Sequence, residues 1–108
     1  MDLTMNITRN ETEHLVSLSG DVDAFTGPKA KEAIMTSVET PGVAVVVVDL
    51  SQVEYMDSTG IGIFIGVMKE CKQVGCDLVV QNLPSRVERL FRITGLYDLV
   101  SIRKGESE

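Results

Sequence analysis

The sequence predicts an α/β domain built on a mixed β-sheet of about five strands, in the order β-β-α-β-α-β-α-β. Three observations carry that prediction. One early run alternates apolar and polar residues, Val43-Ala44-Val45-Val46-Val47-Val48 is apolar and mostly β-branched, and from Ser58 the apolar period becomes that of a helix. At 108 residues, 44% hydrophobic and 24% charged, the chain has room for one core and reads as a single domain over 1–108, ordered from about 3 to 103.

Leu3, Met5 and Ile7 alternate with Thr4, Asn6 and Thr8, which predicts a strand with one wet face. Leu15-Val16-Ser17-Leu18 is its hairpin partner, and the two make an antiparallel edge. Pro28, after Thr26 or Gly27, opens a helix, because proline's fixed φ suits the first turn and its missing donor costs nothing there. Ala30, Ala33, Ile34, Ser37 and Val38 share one face of it, and Pro41-Gly42 ends it. The apolar run at 43–48 is the central strand, with helices expected over both its faces. That strand ends at Asp49-Leu50-Ser51, and a short connection leads to Met56-Asp57.

The second helix starts at Ser58, carries Ile61, Phe64, Ile65, Met68 and Cys71 on one face, and stops at Gly75. Gly60, Gly62 and Gly66 each weaken it by up to about 1 kcal/mol relative to alanine, so something there favours bare backbone. Residues 77–81 form a short strand. A third helix from about Pro84 turns Val87, Leu90, Phe91 and Thr94 inward and stops at Gly95; residues 97–102 return as the last strand, and 104–108 read as a frayed end.

Composition excludes several kinds of function. Ten Lys plus Arg against 16 Asp plus Glu give a net charge of −6, with no positive excess for nucleic acid. No apolar run approaches the roughly 20 residues that span a bilayer, and the N-terminus lacks the basic and apolar regions of a signal peptide, so the expectation is a cytoplasmic protein with no membrane partner. Cys71 and Cys76 form a lone C-x4-C with no histidine beside it, which is neither a zinc site nor a disulfide framework. There is no G-x-S-x-G elbow, and the one histidine, His14, reads as a surface or hairpin residue. A phosphate-binding G-x-x-x-x-G-K-S/T loop is absent, and Gly60-Ile61-Gly62 lacks the rest of a dinucleotide fingerprint, so neither a cofactor nor catalysis is expected. Asp49 closes a buried strand, as the phospho-acceptor of a receiver domain does, but the required acidic pair and lysine are not suitably placed.

The most informative stretch is Met56-Asp57-Ser58-Thr59-Gly60-Ile61-Gly62, where strand hands over to helix. Functional groups gather at the carboxyl ends of parallel strands, and a helix N-terminus offers unpaired donors and partial positive charge. An anion on Ser58 would meet the amides of Thr59, Gly60 and Ile61, and the glycines would leave that backbone open to a partner. Equally, Ser58 is a plain N-cap, a role worth about 0.5–2 kcal/mol. Asp21 and Asp23 lie in a short acidic loop before the first helix, as solvated turn residues or as contacts. Arg86, Arg89 and Arg92 recur opposite the apolar face of the third helix, as a solvated face or as a contact for an acidic partner.

Three blocks, Gly20-Asp21-Val22-Asp23-Ala24-Phe25-Thr26, the run from Asp49 through Asp57-Ser58-Thr59-Gly60 to Gly62, and Leu90-Phe91-Arg92-Ile93-Thr94-Gly95-Leu96, resemble the STAS-domain anti-sigma factor antagonists of bacteria, most nearly the general-stress branch. The resemblance implies a phospho-switch with no catalysis of its own. The unphosphorylated form would bind an anti-sigma factor with serine kinase activity and release the sigma factor. Phosphorylation of Ser58 would inactivate it, and a PP2C-type phosphatase would restore it. Carried over by position, Asp21, Asp23, Asp57, Ser58, Thr59, Gly60 and Gly62 form the partner-binding surface. The alternatives are a non-switching STAS scaffold and a ligand-sensing regulatory module.

Overall fold

The computed structural model of the protein describes residues 2–103, and the tail at 104–108 lies outside the described residues. Strands β1 (Leu3–Arg9) and β2 (Glu13–Val22) pair antiparallel, with Leu3 opposite Gly20 and Arg9 opposite His14. Helix α1 (Gly27–Val38), β3 (Val45–Met56), α2 (Ser58–Val74), β4 (Asp77–Gln81), α3 (Ser85–Ile93) and β5 (Ser101–Arg103) follow in the predicted order. The sheet runs β1-β2-β3-β4-β5, parallel from β2 onward, with the valine-rich β3 in the middle.

Helices cover one face of this sheet rather than two. Each crossover from β2 to β5 steps one strand over in the same direction, and right-handed crossovers stepping one way lay every helix on the same side. Val16, Leu18, Val46, Val48, Leu50, Leu78 and Val80 accordingly share one core with Ile34 of α1, Phe64 and Val67 of α2 and Phe91 of α3. Phe64 and Phe91 meet edge to face, centroids 5.5 Å apart, a geometry worth about 0.5–1.5 kcal/mol beyond burial. Val47 and Val79 alternate to the other face and are still buried, but stand outside that core. On their face Glu13 of β2 and Arg103 of β5 reach toward each other across the two strands between, 3.9 Å apart.

Other expectations are corrected. β3 continues without a break through 52–56, because bulges at Ser17/Ser19 and Gly20/Asp21 keep β2 paired with it out to Met56. β2 therefore includes Asp21, so the acidic loop begins later than the sequence suggests. Residues 97–102 form no long strand: a 3-10 turn occupies Leu96–Asp98, where Leu96 is buried, and only Ser101–Arg103 joins the sheet. Thr94 is exposed and bonds its hydroxyl to the Leu90 carbonyl at 2.9 Å, finishing α3 instead of packing beneath it. His14 is buried, its Nδ1 2.9 Å from the Ser37 hydroxyl, because the strand parity that carries Val16 and Leu18 into the core carries His14 with them.

Along α2, Ile63 and Val67 are buried beside Ile61, Phe64 and Cys71, whereas Ile65 and Met68 are half-buried. Gly75 ends the helix in the left-handed region at φ 82, and both its amide and that of Cys76 return to the Cys71 carbonyl. The Cys76 bond is the 6→1 bond of a Schellman stop and the Gly75 bond the 5→1 bond of a left-handed cap. Both thiols are free and buried, and burial pushes that of Cys71 up to about 12. Among the described residues, no helix is long and apolar enough to cross a membrane.

Candidate functional site

The parallel strands deliver their carboxyl ends to one rim. There the end of β2 stays in register with the end of β3, Asp21 opposite Tyr55 and Val22 opposite Met56, and the Asp57 amide donates to the Val22 carbonyl at 3.3 Å. The turn into α1 comes close against the start of α2: a Cβ on Gly27 would lie 2.7 Å from Ile63 Cδ1 and 3.2 Å from Thr59 Cγ2. A side chain at this position would make Ile63 and Thr59 give way where the two helices begin side by side.

Asp57, and not Ser58, is the N-cap of α2. Its backbone is extended, at φ −116 and ψ −166, and its Oδ1 accepts the Thr59 amide at 2.9 Å. Its carbonyl takes the Gly60 amide at 3.0 Å and stands 3.4 Å from that of Ile61. Ser58 thus becomes the first residue of the helix, exposed, and its hydroxyl makes no hydrogen bond among the described residues. Asp57 also takes up the amides of Thr59, Gly60 and Ile61 that were expected to receive an anion, so these three form no empty cradle of donors.

The glycines after it divide. Gly60 is buried, and a Cβ there would stand 2.5 Å from Met56 Cγ and 3.2 Å from Val22 Cγ1, so it serves packing against the strand ends instead of offering open backbone. Gly62, one turn along from Ser58, is exposed, with nothing within 4 Å of a Cβ placed there. Thr59 is half-buried between them.

Asp23 shapes the neighbouring turn. Its Oδ1 accepts the amides of Phe25 at 2.9 Å and Thr26 at 3.0 Å, while its own amide donates to the Thr26 hydroxyl. The Thr26 amide above all holds the Asp23 carboxyl below its ordinary value. Asp21 enters the same turn through its carbonyl, which accepts the Thr26 hydroxyl at 2.7 Å. The turn presents Phe25 almost fully to solvent, at 87% exposure, and on the other flank Tyr55 is 51% exposed. Sequence periodicity passed over both aromatics, because neither belongs to an apolar face; the available signal was an aromatic among acidic turn residues and another in a polar strand end.

Of the predicted site residues, Asp57, Ser58, Thr59 and Gly62 gather at the start of α2 with the Asp23 turn beside them; Asp21 lies on the adjoining strand and Gly60 faces inward. The arginines do not act as a set. Arg92 is engaged by Glu88 at 2.9 Å and lies 3.9 Å from the Tyr97 ring centre, whereas Arg86 and Arg89 are exposed with no ion pair among the described residues. Asp49 is also held in place, accepting from the Ser51 amide, Gln81 Nε2 and Asn82 Nδ2. Burial raises its carboxyl's pKa, but these bonds outweigh it and leave the value lowered.

The sequence matches the STAS domain over residues 4–108. It is 40% identical over 109 residues to the anti-sigma-B factor antagonist of Listeria monocytogenes, covering 100% of this chain and 95% of that protein. The fold superposes on the anti-sigma factor antagonist SpoIIAA in its unphosphorylated form with a TM-score of 0.82 at 19% identity, covering 96% of this chain and 90% of that one. For the phosphorylated form of the Bacillus protein SpoIIAA the TM-score is 0.76 at 18% identity, over 96% of this chain and 93% of that one.

Proposed function

This chain belongs to the STAS-domain family, and we propose that it works there as an anti-sigma factor antagonist, switched by phosphorylation of Ser58. The unphosphorylated protein binds an anti-sigma factor in the cytoplasm and frees the sigma factor for transcription of stress genes. The same anti-sigma factor, acting as a serine kinase, phosphorylates Ser58 and ends the interaction, and a PP2C-type phosphatase restores it. The chain supplies a surface and an acceptor hydroxyl, and no catalysis.

One observation carries this reading: Ser58 stands exposed at the first position of α2 with its hydroxyl unoccupied, while Asp57 performs the capping. A serine retained for capping would have its oxygen on an amide. A phosphate adds about −1.5 to −2 charges at neutral pH. The amides of Thr59, Gly60 and Ile61 already donate to Asp57 and so do little to compensate it. The charge falls instead beside the Asp57 carboxylate and faces the partner, where one desolvated clash of about 1.4 kcal/mol weakens binding tenfold. Nothing in the core must move for this to happen, so the switch is a change of surface and not of fold.

The test is to incubate wild type and Ser58→Ala with the purified anti-sigma factor and ATP and to map phosphopeptides. Phosphate on Ser58 alone is the expected result. Absence of phosphate from Ser58, with the complex still formed, removes the switch and leaves a non-switching scaffold.

A further inference from the structure

β3 outruns its neighbour. β4 pairs with it only as far as Asp49 opposite Gln81, whereas β3 continues to Met56, so residues 50–56 have a strand neighbour on the β2 side alone. Successive residues of a strand direct their N–H and C=O groups to alternate sides, so about half of these groups point to the side that β4 does not reach. Among the described residues, no backbone hydrogen bond from another segment occupies that side; the Asp49 carboxylate takes the Ser51 amide, so the open stretch is 52–56. Long open edges are ordinarily shortened, bent or covered, because they invite another strand.

The open edge also forms one wall of a groove. Val53, Glu54, Tyr55 and Met56 line it on one side and Pro84, Ser85, Arg86 and Val87 on the other, enclosing about 500 Å³. Its floor is apolar, with Val53, Met56 and Val87 buried and Tyr55 half in solvent. Arg86 stands in its wall and Arg89 lies one turn further along α3, both without an ion pair among the described residues, on a chain whose net charge is −6. Glu54 is the one acidic residue in the lining. The groove is continuous with the switch, since Met56 and Ser58 flank Asp57.

We infer that the anti-sigma factor lays an extended, acidic segment of its own chain along residues 52–56 of β3, adding a strand there, with an apolar side chain in the groove and carboxylates on Arg86 and Arg89. This rests on the proposed function, and it extends the docking surface from the start of α2 to the start of α3. Backbone pairing supplies affinity that tolerates sequence variation, and the arginines select an acidic segment. A second copy of this chain suits the edge less well, because two bodies of charge −6 repel.

Hydrogen exchange on the whole chain, free and bound to the purified anti-sigma factor, tests this together with the affinity of the double variant Arg86→Glu, Arg89→Glu and of Ser58→Asp. In the complex, amides in 52–56 should exchange at least about tenfold more slowly, along with those in 59–62. The charge-reversed variant, whose changed residues are exposed and whose melting should match wild type, should bind about tenfold more weakly. Protection confined to 59–62 with unchanged affinity of that variant overturns the added strand and leaves docking at α2 intact. Protection of 52–56 with unchanged affinity overturns the acidic character of the segment, and protection that grows with protein concentration alone makes a second copy the occupant. If Ser58→Asp binds as well as wild type, or no complex forms, the failure lies in the proposed function itself.

Discussion

Asp57 caps the helix that Ser58 begins. Its carboxylate holds the Thr59 amide at 2.9 Å, and by doing so leaves the neighbouring hydroxyl exposed and, among the described residues, unbonded. Stability and modification are thereby assigned to different, adjacent side chains. Asp57→Ala should cost about 0.5–2 kcal/mol through loss of the cap. Ser58→Ala should change stability by less than about 0.5 kcal/mol. Urea denaturation of the two variants checks this, and a Ser58→Ala loss as large as that of Asp57→Ala would return the capping role to Ser58.

The glycines of α2 make an opposed pair. Gly62→Ala meets no neighbour, so it should stabilise the protein by up to about 1 kcal/mol through helix propensity. Gly60→Ala drives Met56 and Val22 aside and should be destabilising, overpacking of about 1–3 kcal/mol exceeding the same propensity gain. Thermal melts separate the two. Gly62→Arg should then weaken anti-sigma factor binding while the protein stays folded, and unaltered binding would move the interface off this face.

The buried pair His14 and Ser37 ties β2 to α1 at 2.9 Å. Ser37→Ala removes the partner of a buried imidazole nitrogen, and should cost about 1–3 kcal/mol in denaturant titration. A cost near zero would mean that the histidine finds another partner.

Asp23 ties the stability of its turn to pH. Its folded value lies below the ordinary 3.8, chiefly through the Thr26 amide, so it stabilises the fold above the unfolded value and loses that contribution as pH falls through the folded one. Asp23→Asn keeps an acceptor oxygen for the turn and removes the charge. Its deficit against wild type should be full at neutral pH and shrink below about pH 4. A deficit independent of pH would show that the charge contributes nothing.

Much of this architecture was legible in residue patterns. Alternation marked Leu3, Met5 and Ile7, the valines marked the centre of the sheet, and Pro28, Gly75 and Gly95 marked helix limits close to those observed. Which face the helices cover was not legible, because a strand buried on both sides reads alike whether a helix or neighbouring side chains bury it, as Val47 illustrates. The length of β3 was hidden because Gln52, Glu54 and Tyr55 are exposed and carry no apolar period. At the site, the stretch 57–62 was evident, but Asp, Ser and Thr stand in sequence and each can cap a helix. Only the backbone dihedrals of Asp57 decide which one does. The inward turn of Gly60 was equally invisible, since it depends on Met56 and Val22 arriving from two strands.

The most direct test of the switch is calorimetric titration of the anti-sigma factor with unphosphorylated protein, protein phosphorylated on Ser58, Ser58→Ala and Ser58→Asp, with an amide NMR spectrum of each free form. The account predicts tight binding by the unphosphorylated protein and Ser58→Ala, and at least about tenfold weaker binding by the other two. It also predicts spectral changes confined to the start of α2 and the turn holding Asp23. Equal binding by all four, or shifts spread through the core around Phe64 and Phe91, would contradict a switch that works by charge at the surface.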